Sequence, residues 1–599
     1  MGHELPLQAW EIADLSLQEL LKLDRTLSRA DCERGVRIAV LGNCATQHYT
    51  KCLSAALKIR GFWPDIFEAE YDTIQQELLD ARSGFHAHRP EFVVLFNCVQ
   101  SLEENFNSLG QENFSEEISQ EIFNNWRTIL ASHESVILQH NFCLPIDFTF
   151  GNLTGSCRGS LRHAVARINL DLFAEAEALD NVRIVDIEFQ AAFHGKKQWL
   201  DERLWCDAKQ ALSPKFLPPL VKVVSDVILQ DRGVVTKCVV LDLDNTLWGG
   251  VLGDVGPHGV EIGEVNSMGI AFARFQGAIK RLKERGLVLA ISSKNDQALA
   301  ESVFENHPDM ELHLDDIACF IADYNDKASN ILKIKEKLNI GLDSFVFLDD
   351  SKFERDFVRS SLPEVQVPEL PDDPSEFSSA LANWNLFEAR GFSDEDANRT
   401  TLYKTDEKRR QIREEAPDLA SYLSSLQMVA EIEPFNDFTL PRVSQLVQRS
   451  NQFNLTTIRH EESSLRAFAK DKAGHVTFTV RLKDRLGDNG IVALVIGRKE
   501  GDQLVIDSWI MSCRVLGRRI EEATFQLIIE SARELDCSKV IGNYVKTRKN
   551  ALVDALFPRL GFDVIPSEND ASKFVFKVDD YVPVEDLPIE IVKRDRDGG

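Results

Sequence analysis

One stretch constrains the fold more than any other: Cys238 to Gly250, CVVLDLDNTLWGG. Val239, Val240 and Leu241 form an apolar run that stops at Asp242, and Asp244 and Thr246 come next at alternate positions. A short apolar run of this kind is expected to be a buried strand of a parallel sheet. Ligands of open α/β sheets bind beyond the carboxyl ends of such strands. Two carboxylates placed there, two residues apart, leave the strand on one face. As core residues they would be unpaired charges, which burial penalises heavily. Around a hard cation and a phosphate they have partners. A DxDxT pattern alone also occurs in surface turns, so its meaning depends on the residues downstream.

Downstream lie a Gly-rich turn (Gly249, Gly250, Gly253) and a helix expected over Phe272–Arg285. A second apolar strand, Leu287–Ile291, ends in Ser292-Ser293-Lys294-Asn295. Asp326-Lys327-Ala328-Ser329-Asn330 opens another helix, and a third strand, Phe345–Leu348, ends in Asp349-Asp350. Three buried strand ends thus offer a carboxylate pair, a hydroxyl and a second carboxylate pair, with a lysine at a helix start. Such a set suits phosphoryl transfer. A carboxylate can take the phosphoryl group, a second can move the proton, and magnesium, a hydroxyl and a lysine can hold the phosphate oxygens.

The order and spacing resemble the haloacid dehalogenase (HAD) phosphatases. The resemblance implies Asp242 as nucleophile and Asp244 as acid/base. Thr246, which closes the first motif, Ser293 and Lys327 would bind phosphate. Mg2+ would be held by Asp242, the Asp244 carbonyl, Asp349 and Asp350. Asp242 then either becomes phosphorylated or acts electrostatically on the leaving phosphate. The intervals from Thr246 to Ser293 and from Ser293 to Lys327 are too short for an independent cap domain, so an open site is expected.

At 599 residues the chain exceeds a single core, and three or four domains are expected. Leu17, Leu20 and Leu21 mark a helical lead-in over 1–35. Residues 36–230 alternate strands (Arg37–Gly42, Asp65–Glu68, Phe92–Asn97, Val136–His140, Val182–Ile187) with helices such as Thr50–Ile59 and Glu117–Ser132, the pattern of a parallel α/β sheet. This domain loosely resembles SGNH esterases, with Asn43 and Cys44 in place of the Asp and Ser of the nucleophile turn. His140 or His194 is available as a base, but no DxxH pair is present; the alternative is a degenerate domain with Cys44 in a core or turn. The HAD-like domain spans 236–385. A charged helical linker, 386–425, is expected to be solvated.

Beyond the linker come Asn451–Thr457 (NQFNLTT), strands Val476–Leu482, Ile491–Gly497 and Gln503–Ile510, a turn at Asp484–Gly490, and CRVLGRR (Cys513–Arg519) opening the helix Ile520–Leu535. Residues 426–585 look like a GNAT-type α+β acyltransferase, whose pyrophosphate loop reads RxxGxG. Arg514 and Gly517 match, while Arg519 replaces the last glycine. Cys513, Arg514, Gly517 and Arg518 are the candidates for acyl or phosphopantetheine binding; a solvated helix start is the alternative for Arg518 and Arg519, and a structural role for Cys513. FPRLGF (Phe557–Phe562) is expected to pack, and 586–599 to be a disordered tail.

Through LDLDNTLWGGVLGD, SSKND, NDKASN, FVFLDDSKFER, NQFNLTT, RLGDNG and SCRVLGR, the three-part chain resembles FkbH-like proteins. That implies a multidomain α/β enzyme. It would use a phosphorylated donor such as 1,3-bisphosphoglycerate to load a glyceryl group on an acyl carrier protein for polyketide biosynthesis. A plain phosphatase with an accessory acyl-recognition domain, or a non-enzymatic module with a vestigial site, are the other readings. Ser292 departs from the family, standing where relatives carry a cysteine before Ser-Lys-Asn. The net charge of −27 lacks the basic footprint of non-specific nucleic-acid or membrane-surface binding. Eleven cysteines without CxxC or zinc spacing, and no signal peptide, suggest a reducing cytoplasm. No apolar run reaches the roughly 18 residues of a membrane span.

Overall fold

Alternating strands and helices in the first third build one parallel sheet. In the computed structural model the described residues are 7–32, 34–106, 113–264, 266–389, 399–450, 453–512, 515–547, 550–566 and 571–594. The chain divides into two compact units, Met1–Gln230 with Ser379–Glu388, and Asp231–Ser378 with Ala389–Gly599. No helix among the described residues is long and apolar enough to cross a membrane.

The first unit carries β1 (Arg34–Gly42), β2 (Phe62–Glu68), β3 (Phe92–Phe96), β4 (Val136–His140) and β5 (Val182–Val185) in the order β2-β1-β3-β4-β5, all parallel. β3 is buried along its whole length, which is why its sequence runs apolar without alternation, and β4 is buried as well although it ends in Gln139 and His140. The expected lead-in helix forms at Leu17–Thr26, started by a Ser16–Glu19 capping box. Ser379–Glu388, expected to fall within the HAD-like domain and the linker, belongs to this unit instead. Its Asn385 donates from Nδ2 to Asp226 Oδ2 at 2.9 Å, and its carbonyl accepts from the buried Lys222 Nζ at 3.0 Å.

In the second unit, β6 (Cys238–Leu241), β7 (Val288–Ser293), β8 (Ile317–Ala322) and β9 (Phe345–Leu348) form a parallel sheet ordered β8-β7-β6-β9. β8 adds an edge strand to the three read from sequence. The polar residues at the ends of β7, β6 and β9 therefore share one edge of the sheet. Between Thr246 and Ser293 the described residues hold a two-residue bridge (Gly249 with Glu261), the short helix Leu252–Val255 and the helix Ser267–Glu284. None of these is a cap domain.

The same unit holds an eight-stranded sheet of β10 (Met428–Pro434), β11 (His475–Asp484), β12 (Gly487–Glu500), β13 (Gln503–Met511), β14 (Lys539–Val545), β15 (Asp563–Ile565), β16 (Ala571–Lys577) and β17 (Ile589–Lys593). β10 to β13 pair antiparallel, whereas β13 and β14 pair parallel with the helix Ile520–Glu534 between them in sequence. Phe557 and Phe562 pack in its core as expected. The stretch from 586 is not wholly a tail. Ile589–Lys593 pairs in parallel with Met428–Ile432, because its backbone groups find partners on the edge of β10.

The expectation of a solvated linker is corrected at one residue of its helix. Its charged helix, Arg399–Glu415, carries Arg409, which is only 2% exposed. Arg409 grips Asp484 with two nitrogens, at 2.8 and 2.9 Å, and Asp406 at 2.7 Å. On the HAD-like side, Lys404 Nζ donates to Leu314 O at 2.7 Å and Asp315 Oδ1 at 2.9 Å.

Candidate active site

β6 and β9 are adjacent and in register, Leu241 beside Leu348, so Asp242 and Asp349 emerge side by side. Ligand oxygens of Asp242, Asp349 and Asp350 all lie within 4.8 Å of one another. Lys327, the first residue of the helix Lys327–Leu338, reaches this group from beside β7. Its Nζ stands 2.5 Å from Asp242 Oδ1, 3.3 Å from Asp349 Oδ2 and 2.7 Å from the Ser292 carbonyl. Burial opposes charge on Lys327, but Asp242 and Asp349 outweigh it and hold the ammonium above its usual range. Burial, with Asp242 alongside, pushes the Asp349 carboxyl up to about 7 against the pull of Lys327. Asp350 is raised for the same two reasons.

Asp244 is placed differently. One carboxylate oxygen accepts from the Trp248 indole at 3.0 Å and the Leu252 amide at 3.2 Å, and the other from Asn295 Nδ2 at 3.1 Å. Burial raises its carboxyl above the usual range despite these bonds. Its side chain is not part of the three-carboxylate group. Asn295 Nδ2 also reaches Ser293 Oγ at 3.1 Å, linking the second and first motifs. Thr246 Oγ1 accepts from the Asp350 amide at 3.1 Å, and Arg355 Nη1 holds the carbonyls of Asp349 and Asp350 at 2.8 and 2.7 Å. Trp248, Asn295 and Arg355 have no role assigned on sequence grounds, although SSKND and DDSKFER contain two of them. Ser292 is fully buried, and strand alternation turns its hydroxyl to the face opposite Ser293.

The other candidate positions do not assemble a site. Cys44 is buried, its Sγ 3.9 Å from the Phe96 carbonyl, with Cys98 as the neighbour that most raises its thiol pKa. His140 Nε2 pairs with Tyr49 Oη at 3.3 Å, and burial pushes the imidazole down to about 3. His194 stacks on Trp199. The nucleophile–base pair of an esterase is therefore absent among the described residues of this unit. Cys513 and Arg514 lie outside the described residues. Gly517 takes a left-handed φ of 75°, and Arg519 one of 63° where the acyltransferase loop has glycine. Arg518, expected at an acyl or phosphopantetheine site, instead pairs with Asp406 at 3.0 Å and Asp484 at 3.5 Å. Two carboxylates of its own chain hold the guanidinium.

Residues 37–229 match the family described as FkbH, N-terminal domain. The N-terminal part of a Bacteroides fragilis protein, described as containing a phosphatase domain and complexed with Mg, is 32% identical with a TM-score of 0.61. The match covers 63% of this chain and all of that one. The chain belongs to the FkbH-like family. Its fold is multidomain α/β, with a HAD-type phosphatase domain followed by a domain built on the eight-stranded sheet. The Escherichia coli ribosomal-protein-S18-alanine N-acetyltransferase, 14% identical, matches over 25% of this FkbH-like chain and 94% of its own, with a TM-score of 0.20. The GNAT domain of S. lividans PAT is likewise 14% identical, over 24% and 89%, at 0.21. No curated protein matches the chain.

Proposed function

We propose that this FkbH-like protein is a magnesium-dependent phosphatase and acyl transferase. It would load a three-carbon acyl group, such as glyceryl from 1,3-bisphosphoglycerate, onto an acyl carrier protein for polyketide or related biosynthesis. The observation that carries the phosphatase half is the cluster of Asp242, Asp349 and Asp350 around Lys327 Nζ at the ends of β6 and β9. Three hard oxygen donors already gathered on a buried cation fit Mg2+. Bound there, the metal supplies charge neutralisation of the phosphate oxygens.

The chain's own residues do the rest. Asp242 presents a carboxylate oxygen to phosphorus and takes the phosphoryl group. Asp244, whose carboxyl burial raises above its usual range, gives its proton to the departing oxygen and then takes one from the water that hydrolyses the aspartyl phosphate. Ser293 and Lys327 hold phosphate oxygens, and Asn295 fixes both Asp244 and Ser293. Thr246 acts on the phosphate subsite through the Asp350 amide. The acyl half rests on the family resemblance: a carrier thiolate attacks the acyl phosphate carbon and phosphate leaves.

The test is intact-mass spectrometry of a phosphopantetheinylated carrier protein incubated with enzyme, Mg2+ and freshly generated 1,3-bisphosphoglycerate, with phosphate measured in parallel. A glyceryl-sized mass gain with phosphate release is expected, and Asp242→Asn should abolish the part of that release that passes through the aspartyl phosphate, leaving a phosphoglyceryl-sized gain, while the protein still folds. Phosphate without a mass gain would favour a phosphatase of a small phosphometabolite with an accessory acyl-recognition domain. The commitment of Arg518 to Asp406 and Asp484 is the observation on that side.

A further inference from the structure

β13 and β14 are parallel, and their pairing stops at Ile506 opposite Gly542. Just beyond lies a bulge: across β12, Gly497 faces Ile506 and Ile496 faces Ser508, leaving Asp507 unpaired. Where two parallel strands cease to bond each other, the inner edges of both offer backbone groups. An extended, amide-bearing ligand such as a pantetheine arm can add there as a strand. In this chain the edges are already taken. The Met511 amide donates to the Phe453 carbonyl at 3.2 Å, and Asn454 bridges Ile510 in antiparallel sense. On the opposite wall the Val545 amide donates to the Leu455 carbonyl at 2.9 Å. Thr456 Oγ1 donates to the carbonyl of the bulged Asp507 at 2.8 Å.

We infer that the acyltransferase-like half has its cleft filled by its own segment Phe453–Thr456, and takes neither coenzyme A nor a pantetheine arm between β13 and β14. Phe453, Asn454, Leu455 and Thr456 are all buried, so the segment is part of the core. Asn550, fully buried, locks it: Nδ2 donates to the Asn454 carbonyl at 3.0 Å and the Val545 carbonyl at 2.9 Å, while Oδ1 accepts from the Thr547 amide at 2.8 Å. The approach to a helix-start anion site is altered independently. Arg518 is bound by two carboxylates, and the Arg519 side chain donates to the Asp586 carbonyl at 2.9 Å. The acyl arm of the proposed transfer must then be received outside this cleft. The inference is independent of the phosphatase reading, which concerns other strands.

Hydrogen–deuterium exchange of the full-length protein, with and without millimolar coenzyme A or phosphopantetheine, tests it. Amides of Met511 and Val545 should exchange slowly in the free protein, and neither compound should change that. Asn550→Ala should speed both by about tenfold, the effect of losing one buried hydrogen-bonding side chain. Should that variant not fold, Thr456→Val removes only the bond to Asp507 and should act in the same direction on Met511. Fast exchange in the free protein, or protection appearing at these amides with either compound, would overturn the inference.

Discussion

Lys327 balances the charge of the phosphate site. It is nearly inaccessible and touches Asp242 and Asp349, so replacing it with methionine leaves buried carboxylates facing one another. Lys327→Met should therefore lose about 3–5 kcal/mol in chelator, the usual cost of breaking a buried ion pair, and recover part of it when Mg2+ is added. Urea titrations with and without Mg2+ would show this; a metal-independent loss would mean that the carboxylates do not share a cation. His140 gives a second residue-scale expectation. Its imidazole titrates at about 3 in the fold against an ordinary value of 6.5. Between those values the unfolded chain binds more protons, so stability is full above about 6.5 and falls by up to about 1.4 kcal/mol per pH unit below it. His140→Gln should flatten the acid limb of a pH–stability curve. The motif carboxylates, Ser293 and Lys327 are legible in the sequence because each succeeds an apolar strand or opens a helix. Asn295 is not, because its role is defined by Asp244, a residue just beyond another strand.

At the scale of elements, apolar strands are legible and polar elements mislead. Phe345–Leu348 matches its sequence reading to the residue, because four buried apolar positions end abruptly in two aspartates. The linker helix reads as solvated because its sequence is dense in charge. The burial of its Arg409 depends on Asp484, at the far end of β11, for which no local pattern exists. The strand Ile589–Lys593 escapes the sequence for the same reason, since its partner β10 lies far upstream. Arg409 is thus a tie between the helix and the β11–β12 hairpin. Arg409→Ala strands Asp484 and Asp406 beside Arg518 and should cost about 3 kcal/mol. Arg409→Lys keeps the charge but loses the paired grip and should fall between. Chemical denaturation of the three proteins would rank them; an Arg409→Ala protein as stable as the parent would show the ion cluster to be idle.

For the whole molecule, chain order and packing order differ. The sequence pattern suggests successive domains, yet Ser379–Glu388 returns to the first unit after the HAD-type strands are complete. Nothing local announces this, because the contacts that decide it are with Asp226 and Lys222, far back in the chain. Asp226 is buried and receives Arg60 Nη1 at 2.8 Å, Asn385 Nδ2 at 2.9 Å and Lys222 Nζ, so it has three donors for one carboxylate. Asn385 also sits at a left-handed φ of 43°, a conformation asparagine tolerates better than most residues. Two effects then separate by substitution. Asn385→Gly removes the hydrogen bond without backbone strain and should cost about 1.5–3 kcal/mol, the range for a bond to a charged group. Asn385→Ala adds about 1 kcal/mol of strain. Asn385→Asp puts a second carboxylate against Asp226 and should be the worst of the three. Because Asn385 belongs to the first unit, the loss should be read in the exchange of β1 and β3 amides rather than in β6 and β9. The opposite pattern would mean that Ser379–Glu388 is held by the second unit, and that the chain order is the packing order after all.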